Sequence, residues 1–244
     1  MRLAFLLFSV TSGLLGSAWC DWVSAANYSV SPLRATMDGS RNAEVLTLRN
    51  TDSAPILIQP TVVKWSQKDG KEVLEPTRDV LISPALIEVP SGESQVVRVA
   101  LRRPQDPTQE LTYRIVLKEV PRSAAGTGAK VVIALNISLP LFVVPKTAEA
   151  KPNLQIVESK IENVDGKQIL RVGLRNSGNM HLQLKNLAIS DSAGAMGEYN
   201  SMFYILSGNS TTIRIPLARK LITDSVRFDA QTDAGTIGQE IKIP

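Results

Sequence analysis

Residues 131–142 read Val-Val-Ile-Ala-Leu-Asn-Ile-Ser-Leu-Pro-Leu-Phe. Successive side chains of a strand point to opposite faces, so Val131, Ile133, Leu135, Ile137, Leu139 and Leu141 line one face as a continuous apolar row. The other face, Val132, Ala134, Asn136, Ser138, Pro140 and Phe142, is smaller and more polar at its middle. Pro140 has no N–H to give, and a proline within a sheet belongs at an edge. A long apolar edge strand invites pairing with another chain unless something covers it. The row therefore has two readings: a core strand with one greasy face, or a strand offered to a partner.

Short alternating runs recur along the whole chain. Residues 45–48, 56–65, 80–89, 95–101, 111–120 and 131–144 are predicted strands of a first half. Turn-forming Asp52-Ser53, Asp69-Gly70, Pro90-Ser91-Gly92 and residues 104–107 separate them. Residues 146–153 change composition to Lys, Ala, Glu and Pro with no apolar row, which predicts a domain boundary. Beyond it, strands are predicted at 154–159, 168–174, 182–189, 202–206, 211–215, 225–229 and 237–243. Helical periodicity is weak throughout, so the predicted class is all-β, with sandwich domains at 27–146 and 151–244. The Ser, Ala and Gly-rich stretch 122–128 reads as a loop leading into the long apolar strand.

The first 26 residues have the order of a secretory signal: Arg2, an apolar run over 3–18, and small residues ending at Ala25-Ala26, where cleavage is expected. The only cysteine, Cys20, lies in that segment, so the mature chain is expected to form no disulfide. The formal charge of +4 is unchanged by removing Arg2 and Asp21 together. Lysines and arginines are scattered among acids and not clustered with aromatics, which gives no support to nucleic-acid binding.

Catalytic parts are nearly absent from the sequence. His181 is the only histidine, in a turn-like 176–181 segment, Asn-Ser-Gly-Asn-Met-His, and no Gly-x-Ser-x-Gly elbow accompanies it. No metal-ligand cluster, calcium loop or phosphate loop is visible, so no enzyme activity, metal or cofactor is expected, and His181 reads as a structural hydrogen-bonding residue. Arg34 follows Val30-Ser-Pro-Leu at the end of the first strand; a guanidinium facing a cleft there can hold a carboxylate through two parallel hydrogen bonds.

Taken in order, Arg34-Ala-Thr-Met-Asp-Gly39, Gln95-Val-Val-Arg98-Val99, residues 113–121 and residues 131–145 resemble the periplasmic chaperones of chaperone–usher pilus assembly. The resemblance covers nearly all of the mature chain. It implies two immunoglobulin-like sandwiches in an L or boomerang arrangement, a periplasmic location, and subunits of a pilus or fimbria as partners. Such a chaperone lends a strand to an incomplete subunit by donor-strand complementation and carries it to an outer-membrane usher. The donor positions implied here are Val131, Ile133, Leu135, Ile137 and Leu139. The family anchors the subunit's terminal carboxylate on two cations. Arg34 matches the first; the second, usually a lysine on the donor strand, falls on Pro140, which points to an archaic or alternative branch. Arg114, Arg98 and Lys118 are the candidates to replace it. The arginine that the family uses in an interdomain ion pair is also missing, with Val144 in its place, while Glu110 is retained. Free molecules of such a chaperone would have reason to cap their apolar strands by dimerising. The competing expectation is a secreted two-domain adhesin or carbohydrate-binding module, which would favour exposed aromatics; these are scarce at 5% of the chain.

Overall fold

The computed structural model describes residues 28–121 and 133–243. Its first half contains β1 (Tyr28–Ser31), β2 (Ala35–Met37), β3 (Ala43–Asn50), β4 (Ile56–Lys68), β5 (Lys71–Pro76), β6 (Val80–Ser83), β7 (Ile87–Val89), β8 (Ser94–Leu101), β9 (Leu111–Glu119) and β10 (Asn136–Val143). One sheet runs β1-β3-β8-β6; the other runs β2-β10-β9-β4-β5, with β7 beside the start of β4. Alternate residues of each strand meet between the sheets: Leu46 and Leu48 of β3, Val97 and Val99 of β8, Tyr113, Ile115 and Leu117 of β9, and Leu139, Leu141 and Val143 of β10. Each such aliphatic side chain contributes about 1.5–3 kcal/mol by leaving water, which lets this half stand without a disulfide.

The predicted single strand over 80–89 is two strands in different sheets. β6 pairs with β8, and β7 pairs with β4 across the sandwich. Pro84, next to the end of β6, cannot donate to a ladder, and the chain changes layer there. The same device operates earlier. β1 pairs with β3 in one sheet and β2 pairs in parallel with β10 in the other, so the intervening Pro32-Leu33-Arg34 crosses between layers. Neither β1 nor β2 was long enough to show alternation in the sequence. β5 was missed as well, although Asp69 and Gly70 (φ 52° and 73°) make the two-residue turn that joins it to β4. Positive φ at both central residues is the hairpin geometry that Asp-Gly favours.

The second half holds β11 (Leu154–Val164), β12 (Lys167–Asn176), β13 (Leu182–Asp191), β14 (Gly194–Tyr199), β15 (Phe203–Ile205), β16 (Ser210–Pro216), β17 (Ser225–Thr232) and β18 (Gly235–Lys242). Its sheets are β11-β12-β16 and β14-β13-β17-β18, with β15 beside β13. A second apolar cluster, including Val172, Leu184, Leu187, Ile213, Phe228 and Ala230, fills the space between them. The connecting segment is tied to this half. Asn153 N–H donates to Asn176 Oδ1 (3.0 Å), Ser177 N–H to Asn153 O (2.9 Å), and Lys151 N–H to Asn179 Oδ1 (2.9 Å). Gly178 is required there, because a Cβ would stand 2.3 Å from the Lys151 carbonyl oxygen.

Candidate functional site at the domain junction

β10 is the strand on which the apolar row falls, and the structure divides that row in two. Along one edge β10 pairs with β9 from Asn136↔Lys118 to Val143↔Leu111. Along the other it pairs with β2 only at Leu141, Phe142 and Val143. Among the described residues, the second edge of Asn136 to Pro140 is open, and Pro140 stands at its limit. Leu139, placed with the donor positions from the sequence, is 4% exposed and belongs to the core, as does Leu141. Ile137 packs partly against that core. Ile133 and Leu135 are 51% and 39% exposed. Val131 lies outside the described residues, as do the signal segment and the 122–128 loop. The strand also begins later than the predicted 131, at Asn136; before it, Leu135 O still accepts from the N–H of Glu119 at the end of β9 (3.2 Å). Leu135 N–H donates to Glu119 Oε2 (2.8 Å), and the Tyr28 hydroxyl, which donates to Leu117 O (3.1 Å), also lies 3.3 Å from Leu135 O.

The four candidate cations are not gathered in one place. Arg34, at the crossing between β1 and β2, reaches the second half of the molecule and pairs with Asp233 Oδ2 at 3.0 Å, with its side chain 44% exposed. Arg114 stands directly opposite Pro140 in the β9–β10 register, so it shares that face of the sheet. Its guanidinium carbon lies 3.8 Å above the Trp65 ring and its Nη2 pairs with Glu72. Arg98 lies on β8 in the other sheet, exposed, between the core residues Val97 and Val99, so it faces outward and away from β10. Lys118 is on Arg114's face but four residues further, roughly 13 Å along the strand, opposite Asn136.

The junction carries a chain of polar groups that local sequence patterns did not reveal. An Asx turn starts it: Asp106 Oδ1 accepts from Thr108 N–H (2.8 Å) and Gln109 N–H (2.9 Å), which sets Glu110 at the head of β9. Glu110 has a fully buried side chain, accepts from the His181 backbone N–H (2.8 Å), and lies 2.9 Å from His181 Nδ1. Its own N–H donates to Asn179 O (3.0 Å). The 176–181 turn thus holds the linker on one side and Glu110 on the other. His181 Nε2 lies 3.3 Å from Asp233 Oδ2, and Asp233 completes the path to Arg34. Glu110 on the first sandwich therefore pairs with His181 on the second.

Burial alone would lower the His181 pKa, but hydrogen bonding and the charges of Asp233 and Glu110 outweigh it and raise the pKa above 6.5. Burial likewise opposes ionisation of Asp233, yet His181, the Gln183 N–H and Arg34 bring its carboxyl down to about 2. Beside these charges lies an aromatic cluster. Phe142 stacks on the His181 ring at 3.5 Å between centroids, and Trp65, Tyr204 and Leu206 pack around it. The Gln67 side chain joins the halves much as a strand would: its Nε2 donates to Tyr204 O (2.8 Å) and its Oε1 accepts from Leu206 N–H (2.9 Å). Among the described residues no group of His, Cys, Asp and Glu could hold a metal ion.

Two sandwiches meeting at a charged junction, with an apolar strand on one edge, form the two-domain β-sandwich fold of pilus-assembly chaperones. Residues 28–149 match the family model of pili and flagellar-assembly chaperones, PapD N-terminal domain, and the chain belongs to that family, whose members are chaperones and not enzymes. No curated protein matches the sequence. Solved structures share the fold at low identity. A chain of the CsuC–CsuE chaperone–tip adhesion subunit pre-assembly complex, from archaic Csu pili of Acinetobacter baumannii, is 22% identical, with 89% of this chain and 98% of that chain covered and a TM-score of 0.63. The Salmonella enterica SafA pilin–SafB chaperone complex gives 15% identity, coverage of 91% and 98%, and a TM-score of 0.62. The Pseudomonas aeruginosa CupB2 chaperone gives 17%, 88% and 100%, and 0.56.

Proposed function

We propose that this protein works in the periplasm, where it captures subunits of a pilus or fimbria by donor-strand complementation and passes them to an outer-membrane usher. The observation that carries this reading is the open edge of β10, with Ile133 and Leu135 exposed beyond it and Leu139 and Leu141 already committed to the core. An incoming strand laid along that edge finds backbone groups to pair with, and every second side chain sets its register. Covering the subunit's groove removes a surface that would otherwise aggregate. In this reading residues 1–26 are a signal cleaved near Ala26, and residues 27–146 and 151–244 are the two domains. Arg34 is the anchor for the subunit's terminal carboxylate, with Arg114, beside Pro140, as the nearest second cation. Complexes such as CsuC–CsuE and SafA–SafB among the structural neighbours support subunits as the partner. Free molecules could shield Ile133 and Leu135 by pairing edge to edge.

The test is capture from periplasm with the mature chain tagged at its C-terminus. A small exported β-protein held one-to-one by wild type and lost with Arg34→Ala is the expected result. An exposed ion pair contributes about 0–1 kcal/mol, so removing Arg34 should leave thermal unfolding nearly unchanged. Full capture by Arg34→Ala overturns the anchor, and no captured subunit at all overturns the chaperone reading.

A further inference from the structure

Arg34 is not alone at the cleft. Gln183 binds two groups there at once: its backbone N–H donates to Asp233 Oδ1 (2.9 Å) and its side-chain Nε2 donates to the Tyr204 hydroxyl oxygen (2.9 Å). The same Nε2 lies 3.0 Å from the Met202 sulfur, which can only accept, and this fixes the orientation of the amide. The Tyr204 oxygen is therefore an acceptor toward Gln183, and its own proton is free to point elsewhere. Among the described residues nothing accepts that proton. On one side Asp233 holds Arg34; on the other, the Arg114 guanidinium carbon lies 5.9 Å from the Tyr204 ring centroid. Burial raises the Tyr204 pKa and keeps the hydroxyl protonated; the positive charges of Arg34 and Arg114 act in the opposite sense, and the Asp233 carboxylate acts with burial. A half-buried O–H donor with no acceptor of its own among the described residues, joined to the Arg34–Asp233 pair through Gln183 and with Arg114 near its ring, is suited to a carboxylate, which accepts hydrogen bonds and cannot give them.

We propose that the Tyr204 hydroxyl donates a hydrogen bond to the terminal carboxylate of the captured subunit, as a second arm of the anchor beside Arg34. The proposal rests on the reading of Arg34 as carboxylate anchor. It gives the second domain a direct part in capture, through a residue of β15, and supplies a donor in a cleft where Pro140 offers none.

Tyr204→Phe removes only the hydroxyl and leaves the ring against Trp65 and Phe142. With the subunit recovered by wild type as probe, Tyr204→Phe is expected to bind about 10- to 100-fold more weakly, the loss typical of one hydrogen bond to a charged group. Against the same subunit amidated at its C-terminus, wild type and Tyr204→Phe should bind alike, which a merely structural role for the hydroxyl would not produce. If Arg34→Ala loses the subunit and Tyr204→Phe binds it as tightly as wild type, the hydroxyl has no part and the Arg34 anchor stands. An equal loss by Tyr204→Phe toward free and amidated subunits also overturns the proposal. Unimpaired capture by Arg34→Ala removes the anchor and the proposal together.

Discussion

Phe142→Ala should separate the two domains without unfolding either. Phe142 has no exposed surface, yet it belongs to neither sandwich core: its neighbours are Trp65, Leu206 and Tyr204, and its ring is stacked 6° from parallel on His181. It points away from the first core because Leu141 and Val143, on either side of it in β10, point in. Replacing a buried phenylalanine by alanine costs about 3–5 kcal/mol, from lost transfer energy and the cavity left behind. The aromatic contacts, with centroids at 5.9 Å to Trp65 and 5.7 Å to Tyr204, add about 0.5–1.5 kcal/mol for each well-oriented pair. That loss falls on the junction, whose remaining ties include Gln67 to β15, Glu110 to His181 and Asn179, Trp65 against Tyr204 and the exposed Arg34–Asp233 pair. Calorimetry and limited proteolysis of the mature chain would read it. Wild type should unfold in one transition and resist cutting near residues 146–153. Phe142→Ala should show two transitions, one for each sandwich, and cleavage in that linker. A single transition at the wild-type temperature with no new cleavage would show that the cluster does not couple the domains; collapse of the first sandwich alone would show that Phe142 had been assigned to the wrong core.

Capture should depend on which part of the apolar row is changed. Ile133→Asp and Leu135→Asp, at exposed sites, are expected to weaken subunit capture with little effect on folding, while Lys146→Ala does little to either; equal effects from all three, measured by pull-down and thermal unfolding, would argue against a register-specific donor segment. The junction should also respond to pH. The His181 pKa is raised, so the stabilisation from its protonated form is full below pH 6.5 and is lost as pH rises through the folded value. Asp233 runs the other way, with its contribution present above 3.8 and lost as pH falls toward about 2. The difference in unfolding temperature between wild type and His181→Gln should therefore shrink on going from mildly acidic to alkaline buffer; a difference independent of pH would mean that the His181 charge contributes nothing to the junction.

Alternation, turn chemistry and composition made much of this protein legible without coordinates. Side-chain period is a local property of an extended chain, so most of the longer strands of both sandwiches, the Asp69-Gly70 turn and the apolar row at 131–141 could be recognised in place, while β1, β2, β5 and β14 could not. Arg34 stood out because it follows a proline at the end of an apolar stretch. What local pattern does not contain is which edge is covered and which strands become neighbours. A single stretch of three residue pairs between β2 and β10 decides that Leu141 is paired while, among the described residues, the edge of 136–140 is open. Arg98 and Arg114 are both basic residues in alternating runs, with Arg114 the one favoured from the sequence; sheet assignment sends Arg98 outward on a different layer and sets Arg114 opposite Pro140. Glu110 and His181 are 71 residues apart, and Arg34 and Asp233 are 199 apart. Residues separated so widely meet only when two finished sandwiches dock, because the contact depends on the register of every strand between them and on the packing of Phe142 at the junction. The chemistry of the chain was therefore written locally, but the network that joins Arg34, Asp233, Gln183 and Tyr204 exists only in the folded pair of domains.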